Sequence, residues 1–271
     1  MGGLYWSPGF ERTVTRRRGR ALNLTANFGN WVSTRIILAP AIIGALLVVS
    51  CVLSSFFLVP AAVLLGLAGY FGYARFLFSP DGADVQNKIR TLVLNGLRWD
   101  GNGRALDIGC GNGGLAIGIA KMFPQADVVG IDSWGPNWEY SQRACENNAR
   151  VEHIDDRVTF QRASASSLPF PDGVFDAVVS NLVFHEVKNC QDKAALIREA
   201  LRVLKPGGRF ALQDLYYLKR LYGNPGDLVK TVQDWGVKEV AFIPTKDSVF
   251  IPWALKLPFM LGALGLLKGE K

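Results

Sequence analysis

A run of glycines follows an apolar stretch at residues 104–114, RALDIGCGNGG. Gly109, Gly111 and Gly113 carry no Cβ, so the backbone there can bend sharply and approach a bound group closely. A turn of this kind between a strand and a helix is typical of sites that hold a nucleotide-type cofactor. The spacing fits more than one such pattern, so the turn alone does not identify the cofactor.

Two carboxylates accompany this turn. The segment ADVVGIDSW at 126–134 predicts a second buried strand that ends near Asp132, where an acid accepts hydrogen bonds from ribose hydroxyls. Asp107 lies two residues before Gly109, at a position where a dinucleotide-binding fold usually has a small or apolar residue. An oxidoreductase with a nicotinamide cofactor is therefore the less favoured alternative.

Two later segments make the pattern specific. They are SSLPFPDGVFDAVVSNLVFHEV at 166–187 and REALRVLKPGGRFALQDL at 198–215. Together with ALDIGCGNGG, they resemble the class I S-adenosylmethionine-dependent methyltransferases, most closely the branch of ubiquinone and menaquinone biosynthesis. The resemblance covers roughly residues 84–243 and nothing before residue 80. It implies S-adenosyl-L-methionine as cofactor and methyl transfer as the reaction.

The resemblance also implies which residues contact the cofactor. The glycine loop is expected to hold the methionine part of the cofactor, and Asp132 is expected to hold its ribose. Asp107 is expected to help order the loop and its ligand. The adenine region departs from the family pattern, because Ser164 stands where an acid is usual, so a hydroxyl or a backbone carbonyl has to replace that carboxylate. The expected cofactor-binding residues are Asp107, Gly109, Cys110, Gly111, Asn112, Gly113, Asp132, Ser133, Ser164, Ala165 and Asn181.

Three residues near strand ends are candidates for catalysis. His185 closes the segment SNLVFHEV, and a neutral imidazole near pH 7 suits a proton acceptor for a hydroxyl or carbon acid. Glu186 and Asp214 are the weaker candidates. The alternative for His185 is a residue that orders its loop, and His153, in a polar run, is expected at the solvated surface.

The four cysteines predict neither a metal site nor a disulfide framework. Cys51, Cys110, Cys145 and Cys190 are far apart and form no CxxC pair. Cys110 lies in the glycine loop, where a side chain is expected to pack beside the cofactor rather than act as a nucleophile.

The pattern of elements predicts an α/β fold, a Rossmann-like seven-stranded methyltransferase sheet with helices on both faces. A helix is expected over 81–101, with later helices at 113–122, 136–149 and 192–204. Five strands are expected at 104–108, 127–132, 158–161, 176–181 and 208–214. The family adds an antiparallel pair, which we place at 237–243 and about 260–267. Ligands of such sheets bind beyond the carboxyl ends of the strands, where all the motifs above fall.

A different class of structure is predicted before this domain. No charged residue occurs from Ile36 to Ala74, a stretch of about 58 Å as one helix, nearly twice the thickness of a hydrocarbon core. Two transmembrane helices at about 36–57 and 61–78, broken near Pro60, fit this length better than one. A buried helical hairpin of a soluble protein and a re-entrant or surface-lying pair are the alternatives.

Charge placement orients the predicted hairpin. The formal net charge is +7, and most of the excess precedes Ile36, where six arginines accompany one acid, Glu11. Beside an apolar hairpin this excess predicts a cytoplasmic flank on anionic lipids rather than nucleic-acid binding. The arginines are Arg12, Arg16, Arg17, Arg18, Arg20 and Arg35. Both termini and the catalytic domain are then expected to be cytoplasmic, in a two-pass protein of the cell membrane.

The predicted organisation is a basic segment at 1–35, a hairpin at 36–78 and a catalytic domain at 81–271. Within the last, residues 249–259 are unusually apolar for a connection, and a core, lid or membrane-contact role stays open. These features favour membrane lipids as partners and a small lipophilic acceptor. A soluble small molecule or a protein as acceptor, and a non-catalytic cofactor-binding protein, are the alternatives. The acceptor atom and the oligomeric state are not indicated.

Overall fold

The computed structural model describes residues 25–135 and 139–271. Two of the predicted segments lie partly outside these residues. The arginines at 12–20 lie outside the described residues, as do residues 136–138 of the helix expected at 136–149.

A seven-stranded sheet forms the centre of the domain, in the order β3-β2-β1-β4-β5-β7-β6. β1 to β5 are parallel and β7 runs antiparallel to both β5 and β6. The expected sheet is confirmed, but the last strand begins later than expected, because residues 260–264 form turns that close a buried corner. The strands are β1 (Gly103–Ile108), β2 (Ala126–Asp132), β3 (Val158–Arg162), β4 (Phe175–Asn181), β5 (Leu204–Asp214), β6 (Glu239–Ile243) and β7 (Gly265–Glu270).

Helices cover both faces of this sheet. Alternation along β1 separates the two cores, since Leu106 and Ile108 belong to one apolar cluster and Ala105 to the other. The described helices are α1 (Thr34–Ser50), α2 (Leu58–Phe78), α3 (Val85–Leu97), α4 (Gly114–Met122), α5 (Gln142–Val151), α6 (Lys193–Arg202), α7 (Lys219–Tyr222) and α8 (Pro225–Asp234). α6 and α8 pack in the first cluster, and α3, α4 and α5 in the second. The helix expected at 81–101 is thus shorter, and α7 and α8 were not predicted.

α1 and α2 form the predicted apolar hairpin, but its break is not at Pro60. α1 ends at Ser50, a turn follows, and Pro60 lies in the first turn of α2. Proline is tolerated there because the first N–H groups of a helix have no partner within it, so the ring removes no hydrogen bond. The hydroxyl of Ser54 accepts from Phe56 N (3.3 Å), which helps the turn to start the second helical segment.

Close packing holds the two helices together. An added Cβ at Gly44 would lie 2.9 Å from Leu65 Cγ and 3.3 Å from Ala61 O, so only glycine permits this approach. Most other side chains of the hairpin are apolar and exposed, with Leu46 62% and Val63 57% exposed. Among the described residues, Ser55–Phe78 is the one helical stretch whose length and composition suit a membrane span, and 11% of its most apolar window is buried. The 17-residue α1 is shorter, so two spanning helices are not shown.

Residues 25–33, just before α1, lie as a strap across the cofactor loop. Asn148 of α5 fixes the strap, since its side chain accepts from Asn27 N (2.9 Å) and donates to Asn27 O (2.8 Å). Gln86 of α3 fixes it further along by donating to Gly29 O (3.1 Å) and accepting from Trp31 N (3.1 Å). The strap therefore joins the base of the hairpin to the domain.

Candidate active site

A cavity of about 670 Å³ opens at the carboxyl ends of β1, β2 and β4. One end is lined by the glycine loop and the ends of these strands, and the other by the base of the hairpin and residues 259–261. Ligand sites in sheets of this kind lie at this edge, where the strand order changes direction. The volume is typical of a site for a small organic molecule.

The glycine loop adopts the expected conformation. Gly109, Gly111 and Gly113 all have positive φ, at 75°, 58° and 84°. An added Cβ at Gly109 would lie 2.2 Å from Val183 Cγ2, so this position has to be glycine. Gly109 and Gly111 line the cavity, whereas Gly113 does not; it forms the turn into α4 instead, donating from its N–H to Cys110 O (2.7 Å).

The two expected carboxylates, Asp132 and Asp107, both line the cavity, but they form different hydrogen bonds. Asp132 accepts from Gly111 N (2.9 Å) and Trp134 N (2.7 Å), and a carboxylate with those two bonds still has lone pairs for ribose hydroxyls. Asp107 is 1% exposed and accepts from Ala116 N (2.9 Å), which fastens the first turn of α4 to β1. Burial raises the pKa of Asp107 to about 7, against the effects of that N–H and of Arg90.

Arg90 is a partly buried cation that was not predicted from the sequence. It projects from α3 into the cavity lining, donates to Asn87 Oδ1 (2.9 Å) and lies over the rings of Phe28 (5.6 Å) and Trp31 (5.8 Å). Burial lowers the pKa of Arg90 to about 10, so the guanidinium stays charged at pH 7. Its fork of five N–H donors retains capacity for an anion, such as a carboxylate. The signal was present, because Arg90 follows Ile89 on the buried stripe of an amphipathic helix.

The remaining expected cofactor residues are brought together around the loop. Ser133, Ser164, Ala165 and Asn181 line the cavity, and the buried Asn181 Oδ1 has no hydrogen-bond partner among the described residues. Ser164 Oγ bonds Ser166 Oγ (2.8 Å). The acid of the family pattern is thus replaced here by a hydroxyl pair.

Asn112 and Cys110 also line the cavity, where their side chains serve the loop itself. Asn112 Oδ1 accepts from Ser141 N (3.1 Å). Burial and a hydrogen bond with Cys145 raise the pKa of Cys110 well above its usual range, which makes Cys110 a packing residue and not a nucleophile. Within the described residues no group of His, Cys, Asp or Glu is arranged to hold a metal ion.

His185 lines the cavity as expected, but it is not a free neutral imidazole. Its Nδ1 lies 2.6 Å from Asp214 Oδ1, and its Nε2 lies 3.5 Å from Glu186 Oε1. Burial opposes the charged form, but Asp214 and then Glu186 outweigh it and raise the pKa of His185 to about 10. Both carboxylates thus favour the imidazolium over the neutral ring that the sequence predicted, and the role of His185 as a proton acceptor stays a prediction.

Asp214 and Glu186 differ in access to the cavity. Asp214 is fully buried, does not line the cavity, and accepts from Phe184 N (2.7 Å) and Leu215 N (2.6 Å) besides His185. Its oxygens are occupied, so it positions His185. Glu186 lines the cavity with a side chain that is 48% exposed, and the hydrogen bond from His185 lowers the pKa of Glu186.

The far end of the cavity is apolar and was only partly foreseen. Phe71 and Phe78 of α2 line it together with Phe259 and Met260 of the C-terminal segment. That segment is divided, since Ile251, Ala254 and Leu255 are buried in the third apolar cluster while others are exposed. The hairpin contribution could not be read from the sequence, because nothing local indicates that α2 packs against residues 250–261.

Comparisons with known proteins agree with this geometry. Residues 106–212 match the family model described as a methyltransferase domain. The 27-O-demethylrifamycin SV methyltransferase of Amycolatopsis mediterranei is 36% identical over 140 residues, 52% of this chain and 48% of that protein. A ubiquinone/menaquinone biosynthesis C-methyltransferase of Geobacter sulfurreducens is 31% identical over 144 residues, 51% of this chain and 54% of that protein. The chain spans about half the length of these curated relatives.

The fold is also that of known structures. Geranyl diphosphate C-methyltransferase from Streptomyces coelicolor, solved with S-adenosyl-L-homocysteine, superposes with a TM-score of 0.51 at 16% identity, covering 68% of this chain and 80% of that one. Residues 106–212 are therefore the part of the chain that is similar to methyltransferase domains. This similarity supports the expected class, and the family match does not reach the hairpin.

Proposed function

We propose that this protein transfers a methyl group from S-adenosyl-L-methionine to a lipophilic acceptor dissolved in a membrane, into which its α1–α2 hairpin inserts. The observation that carries the proposal is the single cavity that runs from the glycine loop to the base of the apolar hairpin. An acceptor that leaves the hydrocarbon beside the hairpin meets this cavity without crossing water. The likeness to quinone C-methyltransferases at 31% identity supports such an acceptor.

The residues at the polar end fit the cofactor. Asp132 is placed for the ribose hydroxyls, and the glycine loop leaves room for the methionine part. Arg90 offers a partly buried cation in the cavity lining for the methionine carboxylate, and Ser164 with Asn181 lines the region left for adenine. Bound S-adenosyl-L-methionine supplies a methyl group already activated on a sulfonium, whose leaving group is a neutral thioether.

The protein's main task is then to align the acceptor with that methyl group and exclude water. His185, held at Nδ1 by Asp214, presents a charged ring to the cavity between the two ends. A phenol or enol oxygen beside Nε2 receives a charge-assisted hydrogen bond that favours its ionised form, which is the better nucleophile. The acceptor oxygen then replaces Glu186 at Nε2, and Glu186, freed from the hydrogen bond that lowers its pKa, is the nearby carboxylate that takes the acceptor proton.

The hairpin is the membrane element in this proposal. Its surface presents exposed apolar side chains along its whole length, including Ile42, Val49, Val59 and Val63. Such a surface on a water-exposed helix pair is unfavourable by about 25 cal/mol for each Å² of apolar area, and burial in lipid removes that cost. A hairpin returns the chain to its side of entry, so both termini and the domain lie on one face, the cytoplasmic one if the arginines before Ile36 set the orientation.

The test is methyl transfer by the full chain in lipid nanodiscs. Methyl-labelled S-adenosyl-L-methionine is supplied with either the lipid extract or the aqueous extract of the host. We expect label in the lipid fraction, and we expect Asp132→Ala to weaken cofactor binding measured by isothermal titration. The matched control is Asp127→Ala, an exposed acid at the other end of the same strand.

Each other outcome points to one alternative. Label only in the aqueous fraction contradicts the lipophilic acceptor and reduces the hairpin to an anchor. Cofactor binding without label in either fraction contradicts turnover of a small molecule and favours a protein acceptor or a non-catalytic role. Loss of binding by Asp127→Ala and not by Asp132→Ala contradicts the cofactor site.

A further inference from the structure

The tip of the hairpin is apolar, which is unusual for a turn that emerges on the far side of a membrane. Val52 is 89% exposed, Leu53 87% and Phe56 79%, and residues 50–57 contain no charged side chain. A turn that reaches the opposite headgroup region meets water and lipid phosphates, where polar residues are favoured. The hydroxyl side chains of this tip are Ser50, Ser54 and Ser55, and those of Ser50 and Ser54 bond within the hairpin, so the surface of the tip is mainly apolar.

Several polar groups of the tip form hydrogen bonds within the hairpin. The N–H of Cys51 donates to Leu47 O (3.1 Å), that of Leu53 to Ser50 O (2.9 Å), and that of Ser54 to Ser50 O (3.3 Å). The hydroxyl of Ser50 donates to Leu46 O (3.0 Å). Internal pairing of this kind is what a segment inside hydrocarbon requires, since no water is present to replace it.

The reach of the hairpin is also too short for a full crossing. The domain extends up its flank as far as Tyr70, whose hydroxyl donates to Ala254 O (2.9 Å) and whose ring lies 6.1 Å from that of Phe259. From Tyr70 to Ser55, where the helical stretch begins, the chain rises about 22 Å, and the turn before Ser55 lies beyond that point, against a hydrocarbon thickness of about 30 Å. If the domain stays outside the bilayer, the tip ends within the hydrocarbon.

The segment that contacts Tyr70 through Ala254 and Phe259 also carries exposed apolar side chains, namely Val249, Trp253 and Phe259 itself. These side chains are 101%, 84% and 63% exposed, and the one charged residue between them is Lys256. Aromatic side chains and lysine are favoured at the boundary between headgroups and acyl chains. Continuity with α2 through the Tyr70 contacts places this surface at the level where the hairpin enters lipid.

We propose that the hairpin enters the bilayer from one side and does not emerge on the other. Its tip ends inside the hydrocarbon, and the side chains of Val249, Trp253 and Phe259 lie at the headgroup boundary. The partner is the lipid bilayer itself. The inference rests on the membrane insertion proposed above and replaces the two-pass arrangement by a re-entrant one. It also fixes the orientation of the domain, so that the apolar end of the cavity faces the leaflet the hairpin enters.

The test places a single reactive thiol at the tip of the full chain. Leu53→Cys is made with Cys51→Ser and Cys190→Ser, since Cys110 and Cys145 are buried, and the protein is reconstituted into sealed phosphatidylcholine/phosphatidylglycerol vesicles. A membrane-impermeant maleimide is added outside or enclosed in the lumen. We expect no labelling from either side and full labelling in detergent. Asp155→Cys, in an exposed loop of the domain, is the control for orientation and is expected to react from outside.

A second label reports the boundary surface. An environment-sensitive fluorophore on Val249→Cys, in the same background, is expected to be quenched more by lipids with a shallow nitroxide than by those with a deep one. Quenching by neither contradicts contact of this surface with lipid.

The outcomes separate the inference from the function it rests on. Labelling of Leu53→Cys from the lumen overturns the re-entrant arrangement and leaves insertion intact. Labelling from outside, with the protein failing to float with the vesicles, overturns membrane insertion itself. Protection from both sides together with flotation supports both.

Discussion

His185 and Asp214 form a close pair, with Nδ1 2.6 Å from Oδ1. The carboxylate accepts three backbone N–H groups besides the imidazole, those of Phe184, His185 and Leu215, so its position is set by β5 and by the turn after β4. The pair is thus built into the sheet edge and does not depend on a bound ligand. Its charge state should appear both in stability and in turnover.

We expect stability to depend on pH through His185. Its pKa is raised from 6.5 to about 10, so the stabilisation by the charged pair is complete below pH 6.5 and is lost as the pH rises towards 10. Urea unfolding of the wild type should show a loss on the order of 3 kcal/mol over that window. His185→Gln should remove most of this slope, and His153→Asn, at the exposed histidine, should keep it.

The same variant tests the catalytic assignment. His185→Gln should lower turnover at least tenfold while the affinity for S-adenosyl-L-methionine stays within about twofold, because the residue touches the acceptor end. An unchanged turnover would remove His185 from the mechanism. An unchanged pH slope of unfolding would instead contradict the charged pair.

At the scale of elements, the hairpin depends on one close approach. Gly44 lets α1 pass against Leu65 and the backbone of Ala61, whereas Gly66 has open space around it. Gly44→Leu should force the helices apart and cost about 1–3 kcal/mol, as overpacking of a tight contact does. Gly66→Leu adds the same side chain to a free surface and is the control.

Thermal unfolding in nanodiscs measures this difference. We expect Gly44→Leu to lower the transition temperature by several degrees and Gly66→Leu to leave it nearly unchanged. Equal effects of both substitutions would mean that the helices do not pack through Gly44.

Much of the sheet and its cofactor edge could be predicted because the signals are local. β1, the glycine turn and Asp132 follow directly from strand patterns that end in residues with a fixed chemical use. The break of the hairpin could not be predicted from Pro60 alone, since proline both ends and begins helices. Serines at 50 and 54 are the residues that shape the actual turn.

Long-range contacts account for what the sequence did not indicate. Arg90 and the strap at 25–33 reach the cofactor loop only through tertiary packing, and the charge of His185 depends on Asp214, 29 residues away. Local patterns identify candidate residues but not the partners that set their charge. The sequence therefore could not indicate that Asp214 and Glu186 favour the charged form of His185.

At the scale of the whole molecule, the strap at 25–33 connects the cofactor loop with the base of the hairpin. The strap leads directly into α1. Asn30 Nδ2 of the strap donates to the backbone oxygen of Arg75 in α2 (3.0 Å), so the strap also contacts the base of the hairpin. Trp31 packs on Phe78 with ring centres 5.3 Å apart. The base of the hairpin and the strap therefore hold one wall of the cavity together.

Asn148 is the residue whose replacement should detach the strap from the cofactor loop. Its side chain bonds both backbone groups of Asn27 and also donates to Asn112 O (2.9 Å), so Asn148→Ala leaves the strap and the loop without a common partner. We expect S-adenosyl-L-methionine to bind about tenfold more weakly, the size of one or two lost buried hydrogen bonds. Amide hydrogen exchange should rise in residues 25–33 while β1 and β2 stay protected. Asn147→Ala, at the neighbouring half-buried position of α5, should change neither measurement. If Asn148→Ala binds the cofactor as tightly as Asn147→Ala does, the strap is not a wall of the pocket.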